Sequence, residues 1–335
     1  MHPALLGLIT IIFSVGGCVG YFYGANVFLD KVLFPAKGVH AGRNISRATM
    51  IRPWIFLGPA ILALGLYLAY PVVATLILSF QERLPGGARG FVGFENYTKM
   101  FAEPKFAEAM FNNVLWLTVV PASATAFGLL AAQLTDRLSW GSVSKSIIFM
   151  PMAISFVGAA VIFKLIYEAR PEDVAQIGIL NHLYLLWGGS EPQQWLTIPF
   201  WNSFFLMAVL IWIQTGFAMV ILSAALRGIP EETVEAAIID GANPFQIFFR
   251  IKIPQIMGTI VVVWTTITIA TLKVFDIVFA MTNGQWETQV LANYMYDKLF
   301  VARDWGMGSA SAMIIMLLVT PILVWNVYNA RKEMR

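Results

Sequence analysis

Seven uninterrupted apolar runs constrain this chain more than any other feature. They are Leu5–Leu29, Trp54–Phe80, Asn113–Leu134, Ser146–Tyr167, Pro199–Ser223, Gln255–Ala280 and Met307–Tyr328. Each can cross about 30 Å of hydrocarbon as a helix, which needs roughly 20 residues. Lipid offers backbone amides no hydrogen-bond partner, so runs of this kind must satisfy their backbone internally, as helices. Composition agrees: of 335 residues, 58% are hydrophobic and 12% charged, with a mean hydropathy of +0.71. Soluble domains carry about twice that share of charge. The fold class expected is an all-α membrane protein with seven transmembrane helices.

The first run lacks a basic start and is too long for a signal peptide's core of about 7–15 residues, so it reads as a retained helix. Gly16, Gly20 and Gly24 fall on one of its faces. They permit close helix packing, or simply reflect the glycine content of membrane helices. Orientation follows from basic residues. One set of loops holds Lys31, Lys37, Arg43, Arg47, Arg52, Arg137, Lys145, Arg227, Arg250, Lys252, Arg331, Lys332 and Arg335. The opposite set holds Arg83, Arg89, Lys99, Lys105, Arg170, Lys298 and Arg303. The richer set is expected to be cytoplasmic, which puts the N-terminus out and the C-terminus in. The external loops Gln81–Asn112 and Glu168–Ile198 are long and polar; they either dock an external partner or are solvated connections. Four segments result: 1–50, an additional helix with a basic linker; 51–112, a core helix and external loop; 113–328, the core; and 329–335, a cytoplasmic tail.

One cysteine, Cys18, excludes an internal disulfide, and three scattered histidines offer no metal-ligand spacing. A net charge of +3 is too small to suggest nucleic acid. Neither a His-x-x-x-His pair nor a Gly-x-Ser-x-Gly motif suggests an intramembrane enzyme. No Gly-x-x-x-x-Gly-Lys-Ser/Thr phosphate loop is present, so ATP chemistry does not belong to this chain.

The informative loop is 229–254, on the side expected to be cytoplasmic. Pro230 suits a first helical position, and Glu231 and Glu232 suit the positive end of a helix. Val234, Ala237 and Ile238 are spaced to share a face. Gly241 can adopt the left-handed conformation that ends a helix. Asn243 and Pro244 restart one as N-cap and first residue. Phe245, Phe248 and Phe249 give the second helix an aromatic face, and Pro254 is expected to end it. Two short helices bent at a glycine would expose apolar surface. Such a surface calls for a partner or lies on the headgroups as an interfacial elbow.

Glu235-Ala236-Ala237, Asp240-Gly241-Ala242 and Ile251-x-Ile253-Pro254 resemble the EAA loop of binding-protein-dependent ABC importer permeases, with the family's spacings and one departure, Ile253 for Leu. The resemblance implies that the elbow docks in a cleft of a separate ATP-binding subunit. Glu235 would pair with a base there, Ala236 and Ala237 would allow close approach, Asp240 and Gly241 would form the bend, and Phe245 and Phe248 would fill the cleft. It also implies a second homologous permease subunit, two ATP-binding subunits holding ATP-Mg, an extracytoplasmic sugar-binding protein, and a multi-pass location in the bacterial cytoplasmic (inner) membrane. The chain would bind no cofactor itself.

Over Met50–Met334 the chain is most similar to maltose-type sugar permeases. The supporting segments are Trp212-x-x-x-Gly-Phe217, Leu226-Arg-Gly-Ile-Pro230, Phe275-Asp276, Thr282-Asn-Gly284 and Tyr294-x-Tyr296-x-x-x-Phe300. Thr282-Asn-Gly-Gln-Trp286 departs from the family's Thr-x-Gly-Gly-Pro, which implies a different outer loop. The first span and the linker Lys31–Arg52 resemble the α-glucoside branch. Maltose, trehalose or sucrose would then be the cargo; glycerol-phosphate or a polyamine is the alternative. By the same resemblance, substrate-facing positions fall on Leu210, Ile213, Gln214, Phe217, Ile267, Thr271 and Val274, of which Gln214 and Thr271 can hydrogen-bond hydroxyls. Trp212 and Trp264 read as packing or interface residues more readily than as sugar platforms. Lys273 and Asp276 are spaced for an ion pair near the outer end of span six, and Lys164 for snorkelling at the end of span four.

Overall fold

The computed structural model describes residues 3–38, 40–83, 88–136 and 138–333. Arg137 and Arg335, both counted among the basic loop residues, lie outside the described residues. The chain forms two compact units, Met1–Ala74 and Thr75–Arg335.

The first unit contains α1 (Pro3–Phe28), a π turn over Leu29–Leu33, and α2 (Ala41–Leu64), which continues through a second π turn into α3 (Tyr70–Ser79). None of α1 is buried, and a methyl group added at Gly16, Gly20 or Gly24 would touch nothing within 4 Å. Among the described residues of this unit the glycine face therefore has no close-packing partner. What joins α1 to α2 is specific. The Phe22 and Phe56 rings stack with centroids 5.0 Å apart, and Arg52 grips Asp30 through contacts of 2.6 and 2.8 Å. The Tyr21 hydroxyl donates to the Ile55 carbonyl at 2.8 Å. That carbonyl would normally accept from residue 59, but Pro59 has no N–H. Tyr21 supplies the donor that the proline removes.

The second unit begins with the end of α3. It continues with an antiparallel hairpin of β1 (Gln81–Arg83) and β2 (Arg89–Phe91), in register Gln81 to Phe91, and with α4 (Glu95–Ala102). Next comes α5 (Pro104–Thr135), which starts nine residues before the expected span at Asn113 because Pro104 sits ready at its first turn. The expected loop Gln81–Asn112 is therefore mostly ordered. Then follow α6 (Gly141–Phe149), α7 (Phe156–Ile166), α8 (Ile179–Leu186) and α9 (Trp201–Arg227). After α10 (Glu231–Ile239), α11 (Pro244–Gln246), a π segment Ile247–Lys252 and α12 (Ile253–Gln255) come α13 (Met257–Leu272) and α14 (Asp276–Met281). The chain ends with α15 (Leu291–Tyr296), a π turn and α16 (Trp305–Glu333).

Five helices among the described residues are long and apolar enough to cross a membrane, or up to seven if each of two bent pairs counts as one span. The bent pairs correct the sequence expectation at two places. Ser146–Tyr167 is not one helix. It breaks at the 3-10 turn Met150–Ala153 and the extended Ile154, and the halves turn by 103°. Ser155 caps the second half by accepting from the Gly158 amide at 3.1 Å. Gln255–Ala280 is also discontinuous. The chain bends by 73° at Ile256, near the start of the run, and a separate gap, Lys273–Phe275, divides α13 from α14. Pro254 does not end its helix, which runs on to Gln255.

The core lies where α5 packs on α9 and α13, with Trp116, Val120, Met207, Met219 and Val263 fully buried. A Cβ on Gly128 would come within 2.4 Å of the Ala218 Cβ, so only glycine allows α5 and α9 this close. In lipid such approach supplies the dispersion contacts that drive helix association. At the end of α5 away from α10, polar side chains fix the segment 287–298. Asn112 donates to the carbonyls of Glu287 and Gln289 at 2.8 Å each, and Asn113 accepts from the Leu291 amide at 2.8 Å. Glu103 accepts from the Tyr294 hydroxyl and from Lys298. Before that segment, Asn283, Trp286 and Glu287 all have positive φ, a compact turn where the departure from Thr-x-Gly-Gly-Pro falls.

Candidate functional site: an elbow and a cleft

The elbow forms largely as its residues dictate, except that Pro230 is the N-cap of α10 instead of its first helical residue. Glu231 and Glu232 occupy the first turn of α10. Gly241 has φ +81, its amide donates to the Ile238 carbonyl at 3.0 Å, and the Ala242 amide donates to the Ala237 carbonyl at 2.9 Å. These paired bonds are a Schellman stop, which needs a left-handed residue at this position. Asn243 and Gln246 then cap each other's backbone amides, at 2.9 and 2.8 Å, in a reciprocal capping box. The Gln246 half of that box was legible as Asn-x-x-Gln and went unread.

The faces differ from the expected arrangement. Ala237 and Ile247 are both buried, whereas Ile238 is exposed instead of sharing the face of Ala237. Glu235, Ala236, Asp240, Gly241 and Phe245 are exposed, and Phe248 is half-buried with its ring against Phe249 at 5.0 Å. Ile239, 85% exposed, and Phe245, 76% exposed, are the two most prominent apolar side chains of the elbow. Ile239 was missed because its position in the period does not mark it as outward.

Of the seven substrate-facing positions, five are buried: Leu210, Ile213, Ile267, Thr271 and Val274. The Thr271 hydroxyl donates to the Ile267 carbonyl of its own helix at 2.8 Å, so it is not offered to a ligand here. Phe217 and Gln214 are half-buried. Two of the seven, Ile213 and Gln214, reach a common cleft of about 450 Å³. Its other walls are the first break, from Met152 to Val157, and Asp276 at the start of α14, just after the Lys273–Phe275 gap. Both broken spans thus present their interruptions to one volume, together with an amide, a carboxyl and the Ser155 hydroxyl. The size suits a small-molecule site. Ser155 was readable as a helix N-cap before Phe156; its place beside Gln214 depends on the bend.

The expected pair between Lys273 and Asp276 does not form among the described residues. Asp276 faces the Gln214 cleft, while Lys273 lines a separate apolar one with Phe275 and Tyr296. The helix break separates them. Lys164 does not merely reach for the surface: its ammonium donates to the Ala280 carbonyl at 3.3 Å. Trp212 packs on Phe163 with centroids 5.4 Å apart, and Trp264 is partly exposed. No group of three metal-ligating residues occurs among the described residues.

Residues 124–334 match the family model of the binding-protein-dependent transport system inner membrane component. The chain belongs to this family. It is accordingly a multi-pass inner-membrane permease component, not an enzyme, in a family whose ATP is hydrolysed by a partner subunit. Among its relatives, the alpha-glucoside transport system permease protein AglF of Rhizobium meliloti is 58% identical over 99% of both chains. The osmoprotective compounds uptake permease protein GgtC of Synechocystis is 46% identical over 84% of this permease and 100% of that one. The permease is also similar in fold to a chain of a bacterial alginate ABC transporter solved with an alginate pentasaccharide-bound periplasmic protein. That match has a TM-score of 0.73 at 20% identity and covers 88% of this chain and 99% of that one.

Proposed function

We propose that this permease carries α-glucosides inward as one half of a heterodimeric channel, served by two ATP-binding subunits and an extracytoplasmic sugar-binding protein. The observation that carries the cargo is the end-to-end 58% identity with a permease named for α-glucoside transport. The elbow is the ATPase contact. Ile239 and Phe245 stand out from it as apolar anchors, and Glu235, Ala236 and Asp240 surround them. Apolar anchors ringed by polar groups are what a docking surface needs. The elbow end is cytoplasmic, in keeping with the excess of basic residues there. ATP-driven closure of the two ATP-binding subunits would draw the elbows together and tilt the spans, which is alternating access.

The sugar contacts the cleft at the two breaks. Gln214 and Ser155 can donate to and accept from hydroxyls, the Asp276 carboxylate can accept from them, and unwound segments are where transporters place substrate groups. This assignment retains Gln214 and replaces Thr271 with Asp276. The test is uptake of labelled maltose, trehalose and sucrose by the assembled system, with Gln214→Ala and Asp276→Asn beside the parent. Both variants are expected to lower transport several-fold for at least one of these sugars at equal permease level. Uptake of a polyamine or glycerol-phosphate with no α-glucoside uptake would overturn the cargo. Unchanged transport in both variants would overturn the cleft.

A further inference from the structure

Beneath the elbow lies a charge cluster that neither the family pattern nor the cleft assigns. Asp136 is the C-cap residue of α5, and its carboxylate takes donors from two other helices. The Lys145 ammonium reaches it from α6. The Ser223 hydroxyl, on α9, lies 3.1 and 3.2 Å from its two oxygens, and the Arg227 guanidinium, also on α9, donates at 2.9 Å. Burial alone would raise the Asp136 pKa, but hydrogen bonds from Lys145, Arg227 and Ser223 hold it below the ordinary carboxylate value.

Position gives the cluster its meaning. Arg227 is the last residue of α9, and α10 begins at Glu231, so Asp136 grips the root by which the chain enters the elbow. The root by which it leaves is tied to the same turn of α5: the Lys252 ammonium is 3.5 Å from the Gln133 side-chain oxygen. The far ends of the gripped elements reach the cleft. α6 leads into the break at Met150–Ser155, and α9 carries Ile213 and Gln214. One carboxylate therefore joins the elbow to both of those walls.

Stability does not account for the Arg227 arm, although the Lys145 arm of the cluster is largely buried. The Arg227 side chain is 65% exposed, and an ion pair that wet adds little to folding. One acid also serves two bases, so its removal leaves Lys145 and Arg227 facing each other unneutralised. We propose that Asp136 is a positioning residue for energy coupling, holding the elbow's root to α5 and α6 so that movement of the elbow becomes movement of the cleft walls. This rests on the elbow as the ATPase contact.

The assay uses the full complex in proteoliposomes and reads the ratio of ATP hydrolysis with sugar-loaded binding protein to hydrolysis without it. Asp136→Asn is expected to lower that ratio about tenfold, within the roughly 2- to 30-fold range such networks carry. The ATP-binding subunits should still co-purify, and Asp136→Glu should restore most of the ratio. A ratio equal to the parent's would overturn the proposal. So would loss of co-purification, because Asp136 would then serve assembly. If Asp136→Asn does not reach the membrane, Arg227→Gln removes the wet arm alone; it should lower the ratio several-fold, and no change would overturn the proposal. Failure of the elbow reading is separately visible: Phe245→Cys would then not cross-link to an ATP-binding subunit in a complex that still hydrolyses ATP on demand.

Discussion

Gly241 offers a graded test of the elbow. Its φ of +81 lies where L residues cost about 1–2 kcal/mol, and a Cβ there would meet nothing within 4 Å. The cost of Gly241→Ala is thus conformational and free of any clash. Lower unfolded-chain entropy in the alanine variant offsets about 0.4–1 kcal/mol of it. The net is about 1 kcal/mol, or roughly a fivefold shift from bent to unbent elbow. Asparagine tolerates the left-handed region better and should fall between glycine and alanine. Proline cannot reach positive φ at all, and it deletes the amide that donates to the Ile238 carbonyl. The expected order of sugar-stimulated over basal ATPase, at matched incorporation, is Gly, Asn, Ala, then Pro, with the proline variant near one. If alanine matches glycine, the bend does not limit coupling. If alanine is as poor as proline, the effect is steric and the reasoning from φ is wrong.

Other outcomes follow from particular contacts. Tyr21→Phe leaves the Ile55 carbonyl without a donor and should lower the unfolding midpoint in detergent, by an amount equivalent to about 0.6–2 kcal/mol. Adding Pro59→Ala restores an amide donor and should recover most of that loss; failure to recover would sink the explanation. Asn112→Ala strips donors from two carbonyls and should destabilise by about 1–3 kcal/mol, read in the same denaturation assay. Asn112→Asp should not rescue, since a carboxylate has no N–H. Because the Asp136 pKa is depressed, the cluster contributes fully above the ordinary carboxylate value and is lost only as pH falls through the lower folded value. The ATPase ratio should therefore show no Asp136-dependent decline between pH 7 and 5; a decline that Asp136→Asn abolishes would contradict this.

What the sequence revealed and withheld has physical reasons. The elbow was legible because its signals are local: Asn243 before Pro244 and a glycine at the turn act within a few residues. Apolar runs located the spans, but hydropathy sums composition and does not register direction. The bends at Ile154 and Ile256 therefore vanished into two uniform runs, although Pro151 and Ser155 marked the first. Counting along α9 and α13 took no account of how packing rotates each helix. Packing against α5 then buried Leu210, Ile213, Ile267 and Thr271 and left Gln214 half open. Ala237 illustrates the same gap, since which side of a short helix faces its own protein is a tertiary property. The Asp136 cluster joins residues 87 and 91 positions apart and has no local signature at all.

The two interruptions also set where motion is cheap. Tilting an unbroken helix such as α5 or α9 internally would rupture i to i−4 bonds in a medium that offers no replacement. At Ile154 and Val274 the amide has already given up its i−4 partner for a bond to i−3, at 3.1 Å in each case, and the Ser155 hydroxyl accepts from the Gly158 amide within its own helix. Each interrupted span is thus a pair of rods on a swivel, while α5 and α9 are held close together through Gly128. Rotation at the swivels would open or close the Gln214 cleft at the cost of at most one i to i−3 bond each, without rupturing a helix's ladder.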